Sequence, residues 1–189
     1  MTAITEPLIL WRGSHDAGSG KGCAMNVVSW ENGDTTITDF PACSDPMLAR
    51  IVQGVNDALA GTDGRLAPED ALLALRLGHA TVGTSAHGLD DLDLKRVYVR
   101  CAVFAARKVV DLDRTGTALP AIRAAEAWAD NPTAAAAAAA AAYTDTARTF
   151  RVDLAGEVIA LFKVLTGTGQ PEPEAGIVAR ALRDMATVR

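Results

Sequence analysis

The sequence predicts an all-α protein, a single-domain helical bundle of about six or seven helices. Apolar residues recur at i, i+3 and i+4 along most of the chain after residue 46. Short segments rich in glycine or proline separate these stretches, as is typical of connections between helices. The composition agrees, because 49% of the 189 residues are hydrophobic while only 5% are aromatic. A core made mainly of Ala, Leu and Val requires helices that pack closely.

The chain divides into an N-terminal arm or linker, residues 1–19, and a helical domain, residues 20–189. We expect an irregular arm in which Leu8–Trp11 forms a short strand or an apolar plug. Ser44-Asp45-Pro46 predicts a helix start, since Ser or Asp accepts free N–H groups and proline fits the first helical position. Helices are then predicted over 46–59, from about 68 to a break near Gly83, and over about 90–112, 119–129, 133–149, 153–165 and 173–187.

The stretch between residues 23 and 38 has two interpretations. The apolar residues of Cys23–Trp30 fit a short helix. Asn32-Gly33, followed by Thr-Thr-Ile-Thr, is instead typical of a β-hairpin, which would be a short one near residues 26–38. The pattern of residues leaves both structures open.

Composition also limits the functional classes. The net charge of −5 disfavours a protein that binds nucleic acid with its whole surface. The N-terminus has no basic region before its short apolar run, so we expect no signal peptide. No apolar stretch reaches the roughly 18 residues of a membrane span. Three cysteines without a secretion signal indicate reduced thiols. We therefore expect a cytoplasmic protein with no membrane partner.

The segment 20–46 holds the most distinctive side chains, among them Cys23, Asp39 and Cys43. A zinc site usually has ligands paired two to four residues apart, and no such cysteine or histidine pair occurs, so we predict no metal and no cofactor. A catalytic thiol needs a basic partner, and the sequence does not place a histidine beside either cysteine. Core packing of Cys23 and Cys43 is favoured, with a metal site, a reactive thiol or a disulfide as alternatives. No catalytic residue is assigned.

Three other patterns have simple structural explanations. Gly18-Ser19-Gly20-Lys21-Gly22 lacks the first glycine and the final hydroxyl of a phosphate-binding loop, so it is interpreted as a linker. The basic residues between Lys95 and Lys108 alternate with aspartates, which favours a solvated face with internal salt bridges. The Ala134–Ala142 run favours close helix packing or a self-association surface.

Three sequence blocks resemble a group of uncharacterised actinobacterial and actinobacteriophage proteins. They are Gly22-Cys23-Ala24-Met25-Asn26, Thr38-Asp39-Phe40-Pro41-Ala42-Cys43, and the helix from Pro46-Met47-Leu48 to Asn56-Asp57. In that group the first two blocks read G-x-C-x-M-E and S-D-H-P-x-C, and an Ala-rich helical C-terminal part follows. Asn26 and Phe40 stand where the group has Glu and His, which favours a structural role for the segment. The resemblance implies a helix after the first Cys and a bacterial or phage protein in an actinobacterial cytoplasm, but no established activity.

Together these features favour a small phage- or prophage-type accessory protein that acts by protein–protein interaction or self-assembly and is not an enzyme. Trp30, Phe40 and Asp39 are the expected partner-binding residues, since aromatic side chains dominate interface energies. One alternative is a metal- or thiol-dependent enzyme that uses Cys23, Cys43 and Asp39. A second is a nucleic-acid modulator acting through the basic face of the predicted helix 90–112.

Overall fold

The computed structural model describes residues 9–15, 19–114, 116–132 and 152–168, and these residues form six α-helices and no β-strand. The predicted all-α fold class is therefore confirmed. In chain order the helices are α1 (Ala24–Asn32), α2 (Pro46–Leu59), α3 (Pro68–Ala80), α4 (Asp91–Val109), α5 (Ala118–Asp130) and α6 (Val152–Thr166). One turn of 3-10 helix, Val110–Leu112, follows α4 directly.

The helix ends follow the local signals that predicted them. Asp45 caps the start of α2, and Asp90 caps the start of α4 in the same way. The proline of Asn131-Pro132 stops α5, because a residue before proline is pushed out of the helical region. The break predicted near Gly83 comes earlier, since α3 already ends at Ala80.

The alternative of a hairpin near residues 26–38 is wrong, and Asn32-Gly33 ends a helix instead. Gly33 adopts a left-handed backbone conformation with φ 78° and is the C-terminal cap of α1. Its N–H donates to the carbonyl oxygen of Trp30 at 3.1 Å. Left-handed glycine serves hairpin turns and helix C-termini equally well, so the dipeptide alone does not distinguish the two. One side of α1 is buried against α2 and α3, and this packing favours the helix over the hairpin.

Five of the helices share one hydrophobic core. α1 packs against α2 and α3, both of these pack against α6, and α6 also packs against α4. The side chains of Phe162, Met25, Leu48 and Ile159 are among the largest that are fully buried there. α5 packs mainly against α4, where Ile122 and other residues form a second, smaller cluster. The described residues thus form a bundle with one helix added to its side.

The N-terminal arm contributes to this core. The side chain of Leu10 is buried, in agreement with the predicted apolar plug, and Trp11 pairs with Arg65 in an isolated antiparallel bridge. The helices predicted over 133–149 and 173–187, and the start of the Leu8–Trp11 run, lie outside the described residues. Within the described residues, no helix combines the length and the hydropathy that a bilayer crossing requires.

Candidate functional site

The N-terminus of α1 is closed by buried side chains of the segment 20–46. The backbone N–H of Cys23 donates to Asn26 Oδ1 at 2.9 Å, and Asn26 Nδ2 donates to Asp39 Oδ1 at 2.9 Å. The Cys23 thiol donates to the same Asp39 oxygen at 3.4 Å. All three residues are buried, and the Asp39 carboxylate accepts its hydrogen bonds from groups within the protein. It holds the start of α1 to the loop that follows this helix.

A second set of hydrogen bonds folds that loop back onto α1. Ser29 Oγ donates to Asp34 Oδ2 at 2.8 Å and accepts from the N–H of Thr38 at 3.2 Å. Asp34 also accepts from Asn32 Nδ2 at 2.6 Å and from the N–H of Ala42 at 3.3 Å. The hydrogen bond from Ser29, followed by that from Asn32, lowers the pKa of Asp34. The loop therefore has a defined conformation on the helix that precedes it.

Two of the three thiols are buried in the protein interior. Cys23 is 1% exposed, and burial raises its pKa to about 12, while burial raises the pKa of Cys101 equally. Cys43 is half-buried, with its Sγ 3.7 Å from Ser44 Oγ, and all three cysteines are free. The thiolate is the nucleophile in cysteine chemistry, so a raised pKa works against catalysis. Core packing, the favoured prediction, is confirmed for Cys23.

Two of the three histidines, His79 and His87, lie in other contacts. His79 Nε2 is 2.6 Å from Glu31 Oε2 on the surface between α3 and α1. His87 packs edge-on against Phe162, with ring centroids 6.4 Å apart. Within the described part of the chain, no group of three or more His, Cys, Asp or Glu side chains is arranged to hold a metal ion. The described residues therefore show no assembled metal site, although the Cys23 thiol does contact Asp39, as the thiol-dependent alternative requires.

We expect alkylation to distinguish the three thiols. With iodoacetamide at about pH 7.5, Cys43 should react first, because Cys23 and Cys101 are buried and their raised pKa values keep them protonated. Peptide mass spectrometry over a time course measures the order. Unfolding in denaturant is the control, and it should remove the difference. Reaction of Cys23 before Cys43 in the folded protein would contradict this account and support a reactive thiol.

A fully buried carboxylate, Asp45, lies at the start of α2, in contact with Tyr98 of α4 and with Thr84 in the chain after α3. Its Oδ1 accepts from the N–H groups of Met47 and Leu48 at 2.9 and 3.3 Å. Its Oδ2 accepts from the Tyr98 hydroxyl at 2.8 Å. Burial, followed by the hydrogen bond to Asp45, raises the pKa of Tyr98. The sequence predicted the helix cap, but it gave no signal for the partner 53 residues later.

The chain beside Asp45 is joined to the end of α3 by buried hydroxyl groups. The N–H of Asp45 donates to Thr84 Oγ1 at 2.9 Å, and that hydroxyl donates to the carbonyl oxygen of Thr81 at 2.6 Å. Ser44 Oγ lies 2.8 Å from Thr81 Oγ1. The backbone N–H groups at the start of α2 therefore find their hydrogen-bond acceptors within the protein.

Asn56 is a buried polar residue whose hydrogen-bond partners sequence reasoning did not predict. Its Oδ1 accepts from the N–H of Ala24 at 3.2 Å, and its Nδ2 donates to the carbonyl oxygen of Trp11 at 2.9 Å. One amide therefore connects α2 to the start of α1 and to the N-terminal arm. The available signal was its position four residues after Val52, on the apolar stripe of α2, where a polar residue needs internal partners.

Two aromatic side chains of the segment remain on the surface. Trp30 is 69% exposed near the C-terminal end of α1, although Ala24, Met25 and Val28 of the same helix are buried. Phe40 is 39% exposed on the loop after α1, and the Arg50 guanidinium lies 5.5 Å from its ring centroid. Of the three predicted partner-binding residues, Trp30 and Phe40 are accessible and Asp39 is buried.

Most basic residues of α4, though not Lys95, are paired with carboxylates of the described chain. Arg100 bonds Asp130 of α5 at 3.4 Å, and Arg107 bonds Glu126 of α5 with two hydrogen bonds of 2.6 and 2.8 Å. Lys108 bonds Glu157 of α6 at 2.6 Å. These charges connect α4 to α5 and α6, whereas the sequence pattern predicted partners among the neighbouring aspartates, as only Arg96 of these described residues has in Asp93. They therefore offer little support to the nucleic-acid alternative.

No protein-family model matches this chain, and neither a curated protein nor a solved structure shows significant similarity to it.

Proposed function

We propose that this protein acts by binding a protein partner, or a second copy of itself, through a surface that includes Trp30 and Phe40. The observation that carries the proposal is the exposure of Trp30, 69%, on a helix whose other side is buried in the core. Tryptophan and other aromatic side chains contribute strongly to binding when a partner covers them. An indole left in water by a protein with few aromatic residues is a natural anchor for an interface.

The polar groups of the segment 20–46 support this function by fixing the surface. Asp39 and Asn26 hold the start of α1, and Ser29 and Asp34 hold the loop that carries Phe40. Both aromatic residues thus project from backbone that is already ordered before binding. Pre-ordered contacts lose less entropy on association, which favours affinity.

The setting of the function is a further part of the proposal. The resemblance to actinobacterial and phage proteins supports an accessory protein of phage or prophage type that works in the cytoplasm of an actinobacterium. The accessible aromatic residues and the internally used polar groups agree with a binding role in that setting.

The test is partner capture by the full chain and by a Trp30→Ala/Phe40→Ala variant. Tagged proteins are incubated with actinobacterial lysate, bound proteins are identified by mass spectrometry, and self-association is measured by sedimentation. We expect the variant to lose the captured partner or the self-association, with affinity at least about tenfold weaker for a residue that contributes strongly.

The matched control replaces exposed apolar residues elsewhere. Leu112 and Val164 are 78% and 79% exposed, so Leu112→Ala/Val164→Ala changes apolar surface far from α1 in sequence. This variant should keep the partner. Circular dichroism must show that both variants remain folded. If the Trp30→Ala/Phe40→Ala protein is folded and retains every partner and its self-association, the proposed surface is wrong.

A further inference from the structure

Two exposed cations lie against one indole ring at the N-terminal arm, and the side-chain stem of a third exposed basic residue, Arg12, lies beside it. Lys21 Nζ lies 4.4 Å from the centroid of Trp11, and the Arg65 guanidinium carbon lies 4.6 Å from it. The aliphatic part of the Arg12 side chain lies beside Gly64 and close to the same ring. A Cβ atom placed on Gly64 would be 3.7 Å from Arg12 Cγ and 4.0 Å from Trp11 Cε3. We call Arg12, Lys21 and Arg65 with Trp11 the cation–indole cluster.

Backbone hydrogen bonds hold the cluster together from three separate segments. The N–H of Trp11 donates to the carbonyl oxygen of Gly22 at 2.9 Å, and the N–H of Arg12 donates to that of Gly64 at 2.9 Å. The N–H of Leu66 donates to the carbonyl oxygen of Leu10 at 3.0 Å, and the side chain of Leu10 is buried. The backbone positions of the three basic residues are therefore set by the fold and not by one flexible stretch.

The positive charge of the cluster is only partly compensated, since the Asp57 carboxylate accepts from the N–H of Gly13, beside Arg12, at 2.8 Å, and Asp63 lies near Arg65. Within the described residues, Arg12 and Lys21 have no carboxylate at salt-bridge distance, and Arg65 approaches Asp63 only at 4.0 Å. Lys21 and Arg65 are at most about 9 Å apart, the sum of their distances to the ring, and the Debye length is about 10 Å at 0.1 M salt. Their repulsion is therefore not fully screened. In a chain with net charge −5, this concentration of positive charge is a local exception.

We propose that the cation–indole cluster binds an acidic segment of a polypeptide. Carboxylates of such a segment would pair with cations that the protein itself leaves exposed, and this complementarity would also steer the approach of the partner. A single-stranded nucleic acid fits less well, because its bases need an open aromatic face, whereas the Trp11 ring is already in contact with two cations. The surface is distinct from Trp30 and Phe40, so the inference does not depend on the proposed function.

The test measures binding of a fluorescein-labelled deca-glutamate peptide to the full chain by fluorescence anisotropy, at about 50 mM salt, where exposed charges are weakly screened. Lys21→Gln and Arg65→Gln are each expected to weaken binding about fivefold, the size of a favourable exposed charge pair. The double variant should weaken it more than about tenfold. Raising the salt concentration should weaken binding to the unaltered protein more than binding to the double variant.

Arg123→Gln is the matched control. Arg123 is exposed on α5, and its replacement changes the net charge by the same amount without touching the cluster. It should leave the affinity within about twofold of the unaltered protein. Thermal unfolding checks that each variant is folded, and Lys21→Gln gives a second test if Arg65→Gln disturbs the Trp11 bridge.

Three results would overturn the proposal. The first is no binding of the glutamate peptide by the folded protein. The second is an equal loss of affinity in the Arg123→Gln control, which would indicate general charge attraction. The third is tighter binding of an oligothymidylate of the same length that is lost in the Lys21→Gln and Arg65→Gln variants, which would assign the cluster to nucleic acid.

Discussion

Replacement of Asp45 by alanine is expected to lower the free energy of unfolding by about 3–4 kcal/mol. The change removes the cap of α2 and leaves the N–H groups of Met47 and Leu48 without their acceptor. It also leaves the half-buried Tyr98 hydroxyl without the carboxylate oxygen that accepts its hydrogen bond at 2.8 Å. Buried groups that lose their partners pay a full desolvation cost, which an exposed cap does not. Urea unfolding followed by circular dichroism measures the difference.

Asp90 provides a control with the same local geometry. It caps α4 through N–H groups of Leu92 and Asp93 at 2.9 and 2.8 Å, but it is exposed and has no such tyrosine contact. Asp90→Ala is therefore expected to cost only about 1 kcal/mol. A double-mutant cycle of Asp45→Ala with Tyr98→Phe should give a coupling energy of about 1 kcal/mol or more. Equal losses in Asp45→Ala and Asp90→Ala would show that the buried contact contributes nothing.

Replacement of Asn56 by alanine should cost about 2–3 kcal/mol. The side chain is fully buried, and its loss leaves both the Ala24 N–H and the Trp11 carbonyl oxygen without a partner. The missing volume adds a small cavity to that cost. Because the amide joins three segments, the arm and the start of α1 should also loosen. Denaturant unfolding measures the stability, and amide hydrogen exchange at Ala24 measures the local loosening.

Two further variants sharpen this prediction. Asn56→Asp keeps an acceptor for Ala24 but places an oxygen against the Trp11 carbonyl, so it should destabilise the protein at neutral pH at least as much as Asn56→Ala. Asn131→Ala removes an exposed amide just after α5 and should change stability by less than about 0.5 kcal/mol. A loss for Asn56→Ala as small as that of Asn131→Ala would exclude the bridging role.

The sequence predicted those features whose causes are local. Pro46 after Asp45, and Pro132 after Asn131, limit helices through backbone geometry and free N–H groups, so the helix ends could be located without knowing the rest of the fold. Asn32-Gly33 misled in part, because left-handed glycine suits a turn and a helix end alike. Only the packing of α1 on α2 and α3 decides between them, and that packing is not a local property.

The candidate site was less predictable because its contacts are long-range. The Tyr98 hydroxyl reaches Asp45 across 53 positions, and Asn56 reaches Trp11 across 45. Trp30 fitted the apolar pattern of the segment as well as Val28 did, yet Val28 is buried and Trp30 is exposed. Which side of a short helix faces the core depends on the helices that pack against it, so residue spacing could not separate an anchor for a partner from a core residue.

The most direct test of the central claim measures two properties of the single variant Trp30→Ala, stability and partner capture. The account predicts a free energy of unfolding within about 0.5 kcal/mol of the unaltered protein, because the side chain is largely in water, together with a loss of the captured partner or of self-association. The reverse result, a loss of about 2 kcal/mol or more in stability with binding intact, would make Trp30 part of the scaffold and contradict the account.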